Sequence, residues 1–144
     1  MLQFRKMLPS DLDLVVRLEQ ECFEDPWPAE AFSPDIIETG YVLIKEDVLI
    51  GYVFALMVMD ECSLINVAIS PAEQRQGYGE HMMTELISLL RADKGIRYYY
   101  LDVRTSNIPA QRLYTKLGFK HLGIRKAYYR KPPEDAIVMG LIIP

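Results

Sequence analysis

Three stretches of this 144-residue sequence carry residues whose types and spacing could do chemistry. The first is Gln74-Arg75-Gln76-Gly77-Tyr78-Gly79-Glu80, placed where a strand gives way to a helix. Such a turn leaves backbone N–H groups free at a helix N-terminus, and glycine lets an anion approach the chain closely. Arg75 adds a mobile positive charge. A tight loop that uses glycine only for its dihedral freedom is the competing reading. A P-loop is excluded, because Glu80-His81 stands where Gly-Lys-Ser/Thr is required. The dinucleotide fingerprint fails as well, because Met82 replaces its third glycine. A pyrophosphate ligand of another kind remains open. The second stretch is Asp102-Val103-Arg104, where Asp102 and Arg104 share one strand face near its C-terminal end. Ligands of open α/β sheets gather there, and a plain surface ion pair is the alternative. The third runs from Ser106-Asn107, either of which can cap a helix, to Tyr114, one helical turn and more beyond.

Nothing else points to a reactive centre. Cys22 and Cys62 are far apart, without metal spacing or a disulfide framework, and read as free thiols of a reducing compartment. His81 and His121 are isolated, so no metal is expected. The 16 Lys+Arg against 20 Asp+Glu give a net charge of −4, which argues against direct nucleic-acid binding and mildly favours a basic partner. The longest apolar run, Leu49 to Met59, is too short to span a bilayer. Charges at Arg5, Lys6 and Asp11 leave no signal-peptide core, so a cytoplasmic location is expected.

The elements that must hold these residues follow from periodicity. The length suits one domain over residues 1–144. Leu2 to Arg5 reads as a strand. Ser10 reads as the N-cap of a helix with Leu12, Val15, Val16 and Leu18 on one face, ending before Pro26. A short helix over Ala29 to Phe32 is expected next. Tyr41–Ile44 and Leu49–Met59 form a hairpin about Glu46-Asp47, and Cys62–Ser70 is a further strand. A helix then carries Met83, Leu86, Ile87 and Leu90. Tyr98–Arg104 is a strand with Leu101 and Val103 toward the core. The next helix has Pro109 in its first turn, Leu113 and Leu117 as its buried stripe and Gly118 at its end. Phe119–Tyr129 and Ala136–Ile142 close the order β-α-α-β-β-β-α-β-α-β-β. This is an α/β, or layered α+β, domain with a mixed, mostly antiparallel sheet flanked by helices.

In order along the chain, several segments together resemble a known family. They are Asn66-Val67-Ala68-Ile69-Ser70-Pro71 leading into Gln74-x-x-Gly77-x-Gly79; Leu101-Asp102-Val103-Arg104-x-Ser106-Asn107; and Ala110 with Leu113-Tyr114-x-x-Leu117-Gly118-Phe119. Gly123, Arg125, Tyr128-Tyr129 and Glu134-Asp135-Ala136-x-x-Met139 follow, and Cys22-Phe23 and Pro26-Trp27 precede them. The set is similar to the GNAT N-acetyltransferase superfamily, and within it to the ribosomal-protein-alanine and other protein N-terminal acetyltransferases. Nearly the whole chain is covered.

The resemblance implies a GNAT fold and acetyl-CoA as co-substrate. Gln74 to Glu80 would cradle the pyrophosphate, Asn107 would touch the CoA arm, and the backbone of Val67, Ala68 and Ile69 would pair with the pantetheine like an added strand. It makes Asp102 the general base, acting through water, where the subfamily usually has the longer Glu. Tyr114 becomes the acid that protonates the leaving thiolate. A phenol of pKa about 10 can donate to a thiolate whose thiol lies near 8.5 if transfer is concerted with departure. Glu24, Trp27, Asn66, Tyr128 and Tyr129 would hold the acceptor, a protein N-terminal peptide with a ribosomal protein among the candidates; for Trp27, packing under the first helices is the alternative. The free α-amine would attack the thioester directly in a ternary complex, in a monomer or weak homodimer. A lysine side chain or small amine as acceptor, or a CoA- or peptide-binding module without turnover, are the alternatives.

Overall fold

A computed structural model describes residues 1–144. Seven strands lie in the order β1-β2-β3-β4-β5-β7-β6. The chain divides into two compact units, Met1–Ala55 with Asn66–Leu86 and Leu56–Ile65 with Ile87–Pro144. No helix is long and apolar enough to cross a membrane.

The first unit opens with β1 (Leu2–Lys6) and a 3₁₀ turn over Pro9–Asp11, followed by α1 (Leu12–Cys22). Ser10 is therefore not the expected N-cap. Pro9 fixes φ and starts the turn early, so the residue before α1 is Asp11. Asp11 caps backwards instead: its carboxylate accepts from the Leu8 N–H at 2.8 Å and takes two bonds from Arg5 at 2.8 and 3.0 Å. The Arg5 bond holds the Asp11 carboxyl below its ordinary range. The short helix expected at Ala29 to Phe32 is a 3₁₀ turn over Ala29–Ala31, and a separate helix not expected there, α2 (Pro34–Ile37), follows. Pro34 forces Ser33 into an extended conformation, and the Ser33 hydroxyl then caps the Ile36 N–H.

β2 (Gly40–Lys45) and β3 (Val48–Val58) form the expected antiparallel hairpin. Its two turn residues, Glu46 at φ 49° and Asp47 at φ 65°, have the paired positive φ of a type I′ turn, whose twist matches the strands. β4 (Glu61–Ile69) carries an irregularity at Asn66, held at φ 52°. A 3₁₀ turn over Pro71–Glu73 leads to α3 (Tyr78–Lys94). Val15, Val42, Leu43, Tyr52, Phe54, Met82, Met83 and Leu86 are wholly buried in this unit.

Gly51 of β3 has no room for a side chain. A Cβ there would lie 2.6 Å from the Ile69 Cδ1 and 2.9 Å from the Ala68 carbonyl oxygen. The isoleucine tip can swing aside, but the carbonyl belongs to the β4 backbone. Gly51→Ala is expected to destabilise the protein by about 1–3 kcal/mol, the usual cost of overpacking. Urea unfolding followed by circular dichroism measures it, and a wild-type midpoint would show that β4 yields freely.

In the second unit, β4 and β5 (Tyr98–Arg104) run parallel, with register pairs from Glu61↔Tyr98 to Ser63↔Tyr100. β5 pairs along its whole length with β7 (Pro133–Ile142), and β7 with β6 (Lys120–Arg130), both antiparallel. Tyr99, Leu101 and Val103 are buried and Asp102 and Arg104 half-buried, as the alternation predicts. α4 (Ile108–Lys116) is capped by Asn107 rather than Ser106: its side chain accepts from the Ala110 N–H at 3.2 Å. Gly118, at φ 103°, ends that helix. The buried stripe differs from the prediction. Leu113 and Leu117 are only half-buried, and the residue α4 buries is Tyr114, whose ring packs on Phe119 at 5.7 Å.

Candidate active site

In the first unit the glycine turn offers its backbone. Arg75 at φ 66° and Gly77 at φ 88° turn the chain into α3, and nothing lies within 4 Å of where a Gly77 Cβ would stand. The His81 N–H bonds the Gly77 carbonyl at 3.0 Å, so Tyr78, Gly79 and Glu80 occupy the first helical turn. Their N–H groups have no acceptor inside the helix, and the helix dipole adds positive potential. Open space over a positive-φ glycine, with convergent backbone donors, fits a pyrophosphate. Gln74 serves the turn itself: its side-chain amide donates to the Ile69 carbonyl at 2.9 Å and ties the loop to the end of β4. Gln76 does the same to Ala72 at 3.4 Å. Lys45 ion-pairs with Glu73 at 2.9 Å and lies over the Tyr78 ring. Of the strand residues that lead into the turn, Ala68 is buried, and Val67 and Ile69 are half-buried.

The predicted acceptor residues of this unit are placed less openly than the sequence suggests. Trp27, half-buried, stacks on Phe54 at 5.8 Å and tilts against Phe32 at 5.6 Å, at the edge of an aromatic cluster. Glu24 is exposed. Asn66 and the Trp27 backbone N–H both bond to Glu19, a buried carboxylate that sequence reasoning missed. A signal was there: Glu19 stands four residues after Val15 and next to Leu18, on the apolar face of α1. The Cys22 Sγ donates to the Ile69 carbonyl at 3.3 Å. Burial pushes the Cys22 thiol up to about 11 and the Cys62 thiol up to about 12, so neither is a thiolate nucleophile at neutral pH.

In the second unit Asp102 and Arg104 do not pair with each other. Asp102 Oδ1 accepts from Arg125 Nε at 3.1 Å, and the Tyr128 phenol feels the charge of the same carboxylate. Burial, and then the Asp102 charge, raise the Tyr128 phenol above its ordinary value. Arg104 donates to the Lys131 and Pro132 carbonyls at 2.9 Å each and to Glu134 at 3.2 Å, with its guanidinium 4.2 Å from the Tyr129 ring centre. Burial and the Asp102 charge push Tyr129 up to about 12. Burial, with Tyr129 second, drives the Tyr114 phenol well above its usual range, so it carries its proton throughout the neutral region.

Glu134 closes this arrangement. It accepts from the Ser106 N–H at 2.5 Å, the Thr105 hydroxyl at 3.0 Å and Arg104, and these bonds hold its carboxyl down at about 2. It thereby fastens the β6–β7 turn to the segment that precedes Asn107. Stability from a depressed carboxylate is present above its unfolded value near 4.3 and lost as pH falls toward the folded value. Glu134→Gln is therefore expected to lower Tm at pH 7, with the gap to wild type narrowing between about pH 4.3 and 2. Thermal melts across that window test it, and a gap independent of pH would assign the loss to packing. No sequence spacing pointed to Glu134, whose partners lie 28 to 30 residues away.

Comparison with known proteins gives the family. The sequence pattern of the Acetyltransferase (GNAT) family matches residues 12–119. A Haemophilus ducreyi protein named [Ribosomal protein bS18]-alanine N-acetyltransferase is 40% identical over 95% of this chain and 97% of its own length. The crystal structure of the ribosomal-protein-S18-alanine N-acetyltransferase from Escherichia coli superposes with a TM-score of 0.91 at 33% identity, over 99% of this chain and 94% of that one. Ard1 from Thermoplasma volcanium shares the fold, with a TM-score of 0.89 at 23% identity and coverage of 99% and 98%. With the family pattern spanning both the glycine turn and Tyr114, the chain belongs to the GNAT acetyltransferase family.

Proposed function

We propose that this protein transfers the acetyl group of acetyl-CoA to the free N-terminal α-amine of a protein, with ribosomal protein bS18 or a similar basic chain as acceptor. The observation that carries this reading is the near-full-length similarity, at 33 to 40% identity, to enzymes named for that reaction. The local chemistry agrees with it. The cradle at Gln74 to Glu80 suits the pyrophosphate, and the β4 backbone at Val67 to Ile69 suits the pantetheine. Asn107, while capping α4, lies in the segment that would meet the CoA arm. Asp102 acts as base through water, a modest role for a carboxylate already bonded by Arg125. Tyr114 delivers the proton to the departing thiolate. With both thiols protonated, the amine attacks the thioester directly and no acyl-cysteine forms. The resemblance assigns acceptor contacts to Glu24, Trp27 and Asn66 in the first unit and to Tyr128 and Tyr129 in the second. An acceptor of this kind places the reaction in the cytoplasm.

The test is CoA release with a panel of Ala-, Ser- and Met-starting basic peptides beside N-blocked copies that contain a free lysine. Mass spectrometry maps each product. Acetylation at free N-termini is expected. Turnover of the blocked copies at comparable rates would move the enzyme to the side-chain acetyltransferases. Binding of acetyl-CoA without any turnover would make it a binding module.

A further inference from the structure

Glu19 is a carboxylate in the core of the first unit, 1% exposed. All its partners are donors. The Tyr52 hydroxyl donates to one oxygen, the Trp27 backbone N–H to the other at 2.9 Å, and the Asn66 amide reaches both at 3.1 and 3.2 Å. Tyr52 is itself wholly buried, and burial with the adjacent carboxylate drives its phenol far above the ordinary range. A buried carboxylate is costly, and well-packed apolar side chains often replace such groups without loss of stability. Packing alone therefore gives no reason for Glu19 on the apolar face of α1. Its bonds give one. Trp27 belongs to the turn after α1, and Asn66 is the β4 residue at φ 52° that immediately precedes Val67, Ala68 and Ile69.

We infer that Glu19 is a positioning residue, fixing the turn that carries Trp27 and the irregular strand residue Asn66 on one carboxylate and so setting the acceptor's amine against the thioester. This rests on the proposed acetyl transfer to a peptide N-terminus. Glu19 touches neither substrate in this account. Its contribution is geometric, and displacement of reacting groups by about 1 Å can cost on the order of 10²-fold in rate.

Glu19→Gln keeps the shape but exchanges one acceptor oxygen for an amide donor, which the Trp27 N–H cannot accept and which the Tyr52 hydroxyl and Asn66 amide meet only by reorienting. Asn66→Asp sets a second carboxylate against Glu19. Each change is expected to lower kcat with an N-terminal peptide by at least about tenfold, measured well below the variant's own Tm. The double variant Glu19→Gln/Asn66→Asp restores a donor facing an acceptor with the direction reversed, and is expected to recover much of kcat rather than sum the two losses. A structural role alone would lower Tm and leave kcat and KM of the folded variants at wild-type values, which overturns the inference, as would additive losses. If Glu19→Gln does not fold, a wild-type kcat in Asn66→Asp overturns it. Failure of wild type to acetylate any peptide N-terminus would remove the acceptor reading, and this inference with it. Turnover by wild type with unaltered variants removes this inference alone.

Discussion

Tyr114→Phe is expected to lower kcat by about 10²-fold or more, the usual scale for loss of a positioned proton donor. The affinity for acetyl-CoA should stay within about twofold of wild type, since an interaction made chiefly in the transition state moves kcat rather than binding. The substitution removes one oxygen and keeps the ring. That ring packs on Phe119 at 5.7 Å and is among the buried side chains of the second unit, so the core is little changed. What disappears is the proton. Burial keeps the phenol protonated at neutral pH. A protonated donor in a dry pocket stabilises developing negative charge on sulfur and hands over its proton as the bond breaks. Initial-rate kinetics give kcat, and calorimetry gives the acetyl-CoA affinity. A wild-type kcat would remove Tyr114 from the chemistry and leave it a core residue. Weakened binding with kcat intact would make it part of the cofactor pocket instead.

The parts of this site legible in the sequence are those governed by near neighbours. Alternation along Tyr98 to Arg104 depends only on the two-residue period of a strand, and burial follows it at every position. The Glu46-Asp47 turn follows from a two-residue loop between apolar runs, and the structure gives both residues positive φ. The glycine turn follows from glycine at a strand-to-helix junction, and Gly77 has both the positive φ and the open face. What escaped depends on distant groups or on competition between local signals. Ser10 and Asp11 are both good caps, and Pro9 decided between them. Leu113 and Leu117 have the right spacing for a buried stripe, but the larger Tyr114 ring met Phe119 and took the interior place. Trp27 could line a ligand groove or pack under the first helices, and its ring, half-buried, lies against Phe32 and Phe54. The alternative of an Asp102–Arg104 pair fails because Arg125 and Glu134, from the later strands, take up the two groups separately. Glu19 escaped, and Glu134, though it stands in a segment that carries the resemblance, is given no role, because each is defined by donors that sequence distance hides.

At pH 7, peptides with a free N-terminus should be acetylated on the order of 10²-fold faster than N-blocked copies offering a lysine, and the ratio should shrink as pH rises. The reason is the proton on the acceptor. An α-amino group of pKa about 7.8 is already more than a tenth neutral at pH 7, while a lysine near 10.4 is bound to its proton by about 3.5 kcal/mol more. The greater nucleophilicity of the neutral lysine amine recovers part of that gap. The rest must come from a base, and the base available here is modest: a short carboxylate already held by Arg125. Such a group can relay a proton from an amine that is nearly ready to lose it, and has little to offer one that is not. For the N-terminal acceptor, kcat/KM should therefore rise with pH and level off just above about 7.8, where the neutral form saturates. For any residual lysine reaction it should keep climbing toward about 10.4. Rates from pH 6 to 9.5 with matched peptides separate these curves. A lysine rate equal to the N-terminal rate at pH 7 would mean that the enzyme deprotonates its acceptor strongly, and Asp102 in its present bonding could not be the group that does so.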